Sequence, residues 1–254
     1  MLGDSHPDSL VDSFAYVSGL QQTIHEETGV LLTNQPAMLP ALSYYTTQAC
    51  GISDAELARR IDRLEPQFEL YPDNFFQTIG LRYVFLGDDI SITDRPVGGL
   101  ATFANVILLD NINAFVHEVH HIADMAVGNL HSDNRDWQDQ AFAAEKAAGY
   151  DADDEPDTGY YWLKRGYIAQ YGTTGIDEDQ ATYGELHIGT RYDDLLIQVT
   201  GVGEYTWGDA VKQEALAKLK EMSENCEISP AVAVKLRLTE DLYDHLFILA
   251  AGEE

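Results

Sequence analysis

Apolar residues recur at helical spacing early in the chain. Leu10, Phe14, Val17, Leu20 and Ile24 follow Pro7 and Asp8, and Gly29 closes the segment, so a first amphipathic helix is predicted there. Ser53 and Glu56 form a capping-box signature ahead of Leu57, Ile61 and Leu64, which predicts a second helix, with Pro66 as its stop. The period then shortens. Leu81 to Leu86 and Ile90 to Ile92 read as strands split by Gly87-Asp88-Asp89, and Leu100 to Leu109 reads as a further strand after Gly98-Gly99. Asp110 to Asn113 offer caps for a helix whose apolar stripe is Val116, Val119 and Ala123, ending near Gly128.

The second half is more helical. Helices are predicted over 136–148, 177–186 and 208–224, and Ser229-Pro230 opens a last one, because proline suits the first helical position. Asp151 to Asp157 is acidic, contains proline and has no period; it predicts a surface loop and a lobe boundary. The expected fold class is α+β. A small mixed sheet with its helices would occupy an N-terminal lobe of about residues 1–150, and a helical lobe would cover about 158–254.

The chain has 254 residues, of which 45% are hydrophobic and 10% aromatic, enough apolar material for a sizeable core. Acids outnumber bases 43 to 15, and the formal charge is −28. A phosphate backbone or an anionic membrane would be repelled over most of such a surface, which argues against nucleic acid as a partner. No apolar run approaches the ~18 residues needed to span a bilayer. The N-terminus lacks the basic and apolar regions of a signal peptide, so the chain as written is expected in the cytoplasm, or outside it if a leader has been removed. Cys50 and Cys226 are too few for a zinc ribbon or a disulfide framework and are expected to be buried thiols. Asp exceeds Glu, 25 to 18, and only 6 of the 15 basic residues are Lys, a balance similar to that of proteins from salt-adapted organisms.

One segment carries chemistry. Within Phe115 to His121 lies the pattern H-E-x-x-H, as His117, Glu118 and His121. Residues four apart share a helix face, so the two imidazoles can reach one metal ion while the intervening carboxylate lies beside its open position. Zn²⁺ held by three protein ligands keeps a water whose pKa falls toward ~7, and a nearby glutamate can take its proton as it attacks a carbonyl. The reaction implied is amide hydrolysis, and the strand before this helix could pair as an edge with an extended peptide substrate near Ala101 to Asn105.

The third ligand must come from elsewhere. The metzincin extension is absent, because Asp124 and Val127 stand where it needs glycine and histidine. Downstream, Tyr171 precedes Glu178-Asp179-Gln180-Ala181 by seven positions, counted to the glutamate. H-E-x-x-H with this later E-D-x-A and tyrosine resembles the gluzincin group of zinc metallopeptidases that includes the anthrax lethal factor catalytic domain. The similar region runs from about Pro66, through Tyr71-Pro72-Asp73-Asn74-Phe75-Phe76, to Glu185.

The resemblance implies a zincin fold, Glu178 as the third zinc ligand, Glu118 as general base and then acid, and Tyr171 as a hydrogen-bond donor to the tetrahedral intermediate. It departs at Thr182, where relatives carry a second acid; Glu185 stands nearby on the same predicted helix. Asp177 and Glu185 remain rival third ligands, and an aspartate-zincin signature around Gly172 to Gly184 fails on spacing. His120 reads as solvated or as a neighbour of the ligands, Asp124 as a candidate to orient a ligand imidazole, and His131 and His187 as lone histidines. The expected activity is therefore zinc-dependent peptide-bond hydrolysis. The alternative is a non-catalytic, zinc-stabilised binding module, which would have no need of Glu118.

Overall fold

The structure, a computed structural model, describes residues 10–35, 47–92, 95–102, 105–128, 137, 159–188, 195, 197, 199 and 209–252. The chain is α+β and forms two compact units, Met1–Ile122 with Leu246–Glu254, and Ala123–His245. The helix predicted over 136–148, apart from Trp137, lies outside the described residues, as do His131 and the acidic stretch 151–157.

The first unit opens with α1 (Leu10–Thr28), ended by Gly29 at φ +75°, and β1 (Leu31–Thr33). Next come β2 (Thr47–Gly51) and α2 (Asp54–Phe68), where the Ser53 side chain accepts a hydrogen bond from the Glu56 N–H at 3.2 Å. The short α3 (Phe75–Thr78) leads to the strands β3 (Tyr83–Ile92), β4 (Arg95–Pro96), β5 (Gly99–Thr102) and β6 (Val106–Leu109). The sheet order is β1-β3-β6-β5, with β2 and β4 also pairing with β3. The β1–β3 and β3–β6 pairs are parallel and the others antiparallel, so the small sheet is mixed.

Three local expectations change. Pro66 does not stop α2, which continues to Phe68 because that ring is drawn into an aromatic cluster, 5.0 Å from the Phe76 ring and 4.7 Å from Phe115. Gly87 to Asp89 do not divide two strands. β3 runs through them, with Asp89 at φ +54° and a register shift against β2 between Gln48 and Cys50. Arg60 fastens this irregular stretch, donating to the Gly87 carbonyl at 2.8 Å and the Asp110 carbonyl at 3.0 Å and pairing with Asp88. Conversely, the expected single strand from Leu100 to Leu109 is a hairpin of β5 and β6, turned at Asn105 with φ +58°. An asparagine tolerates that left-handed conformation, so the apolar run folds back on itself.

A 3₁₀ turn (Ile112–Ala114), capped by the Asn111 side chain, leads from β6 into α4 (Phe115–Ala126). Phe115, Val116, Val119 and Ile122 are fully buried, and Phe115 joins the cluster of Phe68 and Phe76 that Tyr71 and Phe75 extend. The aromatic stretch around Pro72 thus supplies the bed on which the motif helix rests.

The second unit contains α5 (Gly159–Leu163), a 3₁₀ turn (Gln170–Thr173), α6 (Ile176–Ile188), α7 (Asp209–Glu224) and most of α8 (Ala231–Ala251). Its core gathers Trp137, Leu163, Tyr183, Leu186, Leu219 and Val232. The Ser229 hydroxyl accepts from the Ala231 N–H at 3.3 Å, so Ser229-Pro230 opens α8 as the sequence predicts. Cys50 and Cys226 are both free and exposed, against the expectation of buried thiols. Cys50 lies in β2 and Cys226 at φ +59° just beyond α7, positions that keep neither thiol in a core. No helix among the described residues is long and apolar enough to cross a membrane.

Candidate metal centre

In α4, the 3.6-residue repeat that buries Val116, Val119 and Ile122 sets His117 and His121 one turn apart on a neighbouring flank. Their rings stand 4.9 Å apart, edge to face at 78°, and His117 is buried. Glu118 is buried as well, although a carboxylate taken out of water is costly unless something receives it. Part of what receives it is β5, whose Ala101 N–H donates to Glu118 Oε2 at 2.7 Å.

The partner strand explains that direction. The Gly98 carbonyl accepts from the Asp110 and Asn111 N–H groups, so alternation along β5 turns the main-chain groups of Gly98, Leu100 and Thr102 toward β6 and those of Gly99 and Ala101 away from it. A Cβ on Gly99 would stand 2.6 Å from Glu118 Oε1 and 2.7 Å from its Cγ. Only glycine leaves room for the carboxylate against the strand. Of the stretch expected to meet a substrate, Ala101 and Thr102 belong to β5, residues 103–104 lie outside the described residues, and Asn105 belongs to the turn. His120 is buried, which removes the solvated alternative for it, and Asp124 is buried one turn beyond His121.

In the second unit, Glu178 stands in the first turn of α6, half-buried, and Tyr171 is exposed in the preceding 3₁₀ turn. Of the rival acids on α6, Asp177 is exposed and Glu185 fully buried. Among the described residues, the donors that could hold a metal ion are His117 and His121 of the first unit and Glu178 of the second. Two imidazoles and one carboxylate form a donor set that suits zinc.

Sequence reasoning missed a buried polar group beside Glu178. Asp179 and Lys235 are both fully buried and paired at 2.5 Å, and the Trp137 indole N–H donates to the same Asp179 oxygen at 2.9 Å. Burial pushes the Asp179 carboxyl up to about 6, against the opposing pull of Lys235 and Trp137. The signal available in the sequence was a lone lysine in the apolar run Ala231 to Leu236. His187, read as a lone histidine, stacks on Tyr243 with ring centroids 5.2 Å apart. Its burial, helped by Lys212 and Lys220 against Glu240, pushes the imidazole down to about 4.

The architecture and these side chains define an α+β protein with a candidate His-His-Glu metal centre. Comparison of the chain with protein-family models, with curated proteins and with solved structures finds no match.

Proposed function

We propose that the protein is a zinc-dependent metallopeptidase of the gluzincin type, with a zincin catalytic fold. The observation that carries this reading is the setting of Glu118: a buried carboxylate between His117 and His121 in sequence, held on the Ala101 N–H in a space that Gly99 leaves free. A helix serving only as packing would gain nothing from burying an acid beside two imidazoles.

In this reading His117, His121 and Glu178 hold the ion. When bound, zinc supplies Lewis-acid activation, polarising a peptide carbonyl and lowering the pKa of a water toward ~7. Glu118 takes the proton from the attacking water and passes it to the leaving amine. The Ala101 N–H holds one oxygen of the carboxylate and so orients the group for that transfer. Tyr171 donates a hydrogen bond to the oxyanion. The outward main-chain groups of β5, other than the Ala101 N–H already engaged, align the peptide substrate.

The test is metal analysis of protein purified without chelator, followed by hydrolysis of casein or a peptide library. One zinc per chain is expected, lost in His117→Ala. Glu118→Gln should keep the zinc and lose hydrolysis, since that residue moves a proton and does not coordinate. Wild-type protein that takes up no zinc, or a Glu118→Gln variant that cuts at the wild-type rate, would overturn the proposal.

A further inference from the structure

The Asp179–Lys235 pair lies wholly within the second unit, and its connections lead to both residues that this unit would contribute to the proposed centre. Lys235 Nζ donates to Asp179 Oδ2 at 2.5 Å and to the Gly166 carbonyl at 2.7 Å. The Tyr183 hydroxyl donates to the same carbonyl at 3.0 Å, and the ammonium lies 4.6 Å from the Tyr167 ring centroid and 5.5 Å from that of Tyr183. Such a pair is a poor device for stability alone, because desolvating two charges offsets their attraction and apolar replacements of similar shape are often as stable. Its value lies in direction, since an ammonium and a carboxylate with several fixed partners tolerate one arrangement.

Asp179 sits in the first turn of α6, its N–H donating to the Gly175 carbonyl at 3.0 Å. It follows Glu178 directly, so fixing Asp179 on the buried side fixes the rotation of the turn, and with it the direction in which Glu178 leaves the helix. Asp179 also receives the 3₁₀ turn that carries Tyr171. A Cβ on Gly172 would stand 3.0 Å from Asp179 Oδ1 and 3.2 Å from the Asp179 Cα, so the chain beside Tyr171 rests against this residue with no side chain between.

We infer that the buried Asp179–Lys235 pair is a positioning device, which sets the Glu178 carboxylate and the Tyr171 turn in one geometry for metal binding. The inference rests on the reading of Glu178 as a ligand. Outer partners of metal ligands act in this way elsewhere, and their loss commonly weakens metal affinity about 10- to 100-fold.

The informative variant is the double substitution Asp179→Asn with Lys235→Met, which removes both charges while keeping shape. Lys235→Met alone would leave a buried carboxylate uncompensated. Zinc affinity by chelator competition and the visible spectrum of the Co²⁺-loaded protein are compared with wild type, alongside the thermal midpoint. The expected result is a folded double variant whose zinc affinity falls about 10- to 100-fold and whose Co²⁺ bands shift. Unchanged affinity and an unchanged spectrum in the folded variant would show the pair to be structural only and would overturn the inference, leaving the metallopeptidase reading intact. If the double variant fails to fold, Lys235→Arg, which keeps the charge but enlarges its head, is read in the same way: shifted Co²⁺ bands support the inference and unshifted bands overturn it. Wild-type protein that takes up neither zinc nor cobalt defeats the metallopeptidase reading and this inference together.

Discussion

At position 99 a single hydrogen in place of a side chain decides where a carboxylate can lie. Three Glu118 atoms crowd the point at which a Cβ would stand, and the carboxylate cannot swing aside without breaking its 2.7 Å bond from the Ala101 N–H. Gly99→Ala should therefore move Glu118 while leaving His117 and His121 in place. On the proposed metallopeptidase reading, the expected outcome is retained zinc and peptide hydrolysis reduced about 10²-fold or more, the scale of a misplaced general base. Metal content and turnover measured on the same preparation check it, and wild-type turnover would show that Glu118 adapts. The two histidines and Glu118 were legible in the sequence because helix periodicity alone places them. The role of Gly99 was not, because its neighbour in space is distant in sequence. Asp179 and Lys235 were hidden for the same reason, since a pairing across 56 positions leaves no local period.

Among elements, those governed by local rules were readable. α1, α2, α4 and α8 begin or end where Gly29, Ser53, Gly128 and Ser229-Pro230 place them, because caps and left-handed closures act within one turn. The boundaries that moved were set by tertiary packing. Phe68 carries α2 past Pro66, and Asn105 divides an apolar run that by hydrophobicity alone could be one strand. α6 offers a prediction of its own through His187 near its end. The imidazole has a folded pKa near 4 against an ordinary 6.5, so between these values the unfolded chain binds a proton that the folded chain does not. Stability is then lost as pH falls from about 6.5 toward about 4, by at most roughly 3 kcal/mol for this one group. His187→Gln should flatten that part of the profile. Denaturant unfolding of both proteins at several pH values in this window checks it, and parallel curves would place the acid sensitivity elsewhere.

For the whole molecule the governing quantity is charge. A formal net charge of −28 on 254 residues repels itself in the compact state, and Lys235 is spent inside the second unit, where it faces no solvent. Some surface acids are balanced locally, as Glu56 is by Arg59 and Arg60 and Glu240 by Lys220, but 43 acids against 15 bases leave most of them without a cation to pair with. Salt shortens the Debye length from ~30 Å at 0.01 M to ~3 Å at 1 M, so the repulsion between exposed carboxylates should fade across that range. The thermal midpoint is expected to rise clearly from low salt to molar KCl. Part of any rise comes from stronger apolar burial, which does not depend on net charge, so the comparison is with a neutral protein of similar size under the same conditions. A larger rise than in that control would tie the gain to screening, and would agree with the excess of Asp over Glu and the scarcity of Lys that suggest salt adaptation. A flat or falling midpoint would mean that the acids are spaced widely enough not to strain the fold, and the case for salt adaptation would lose its physical basis.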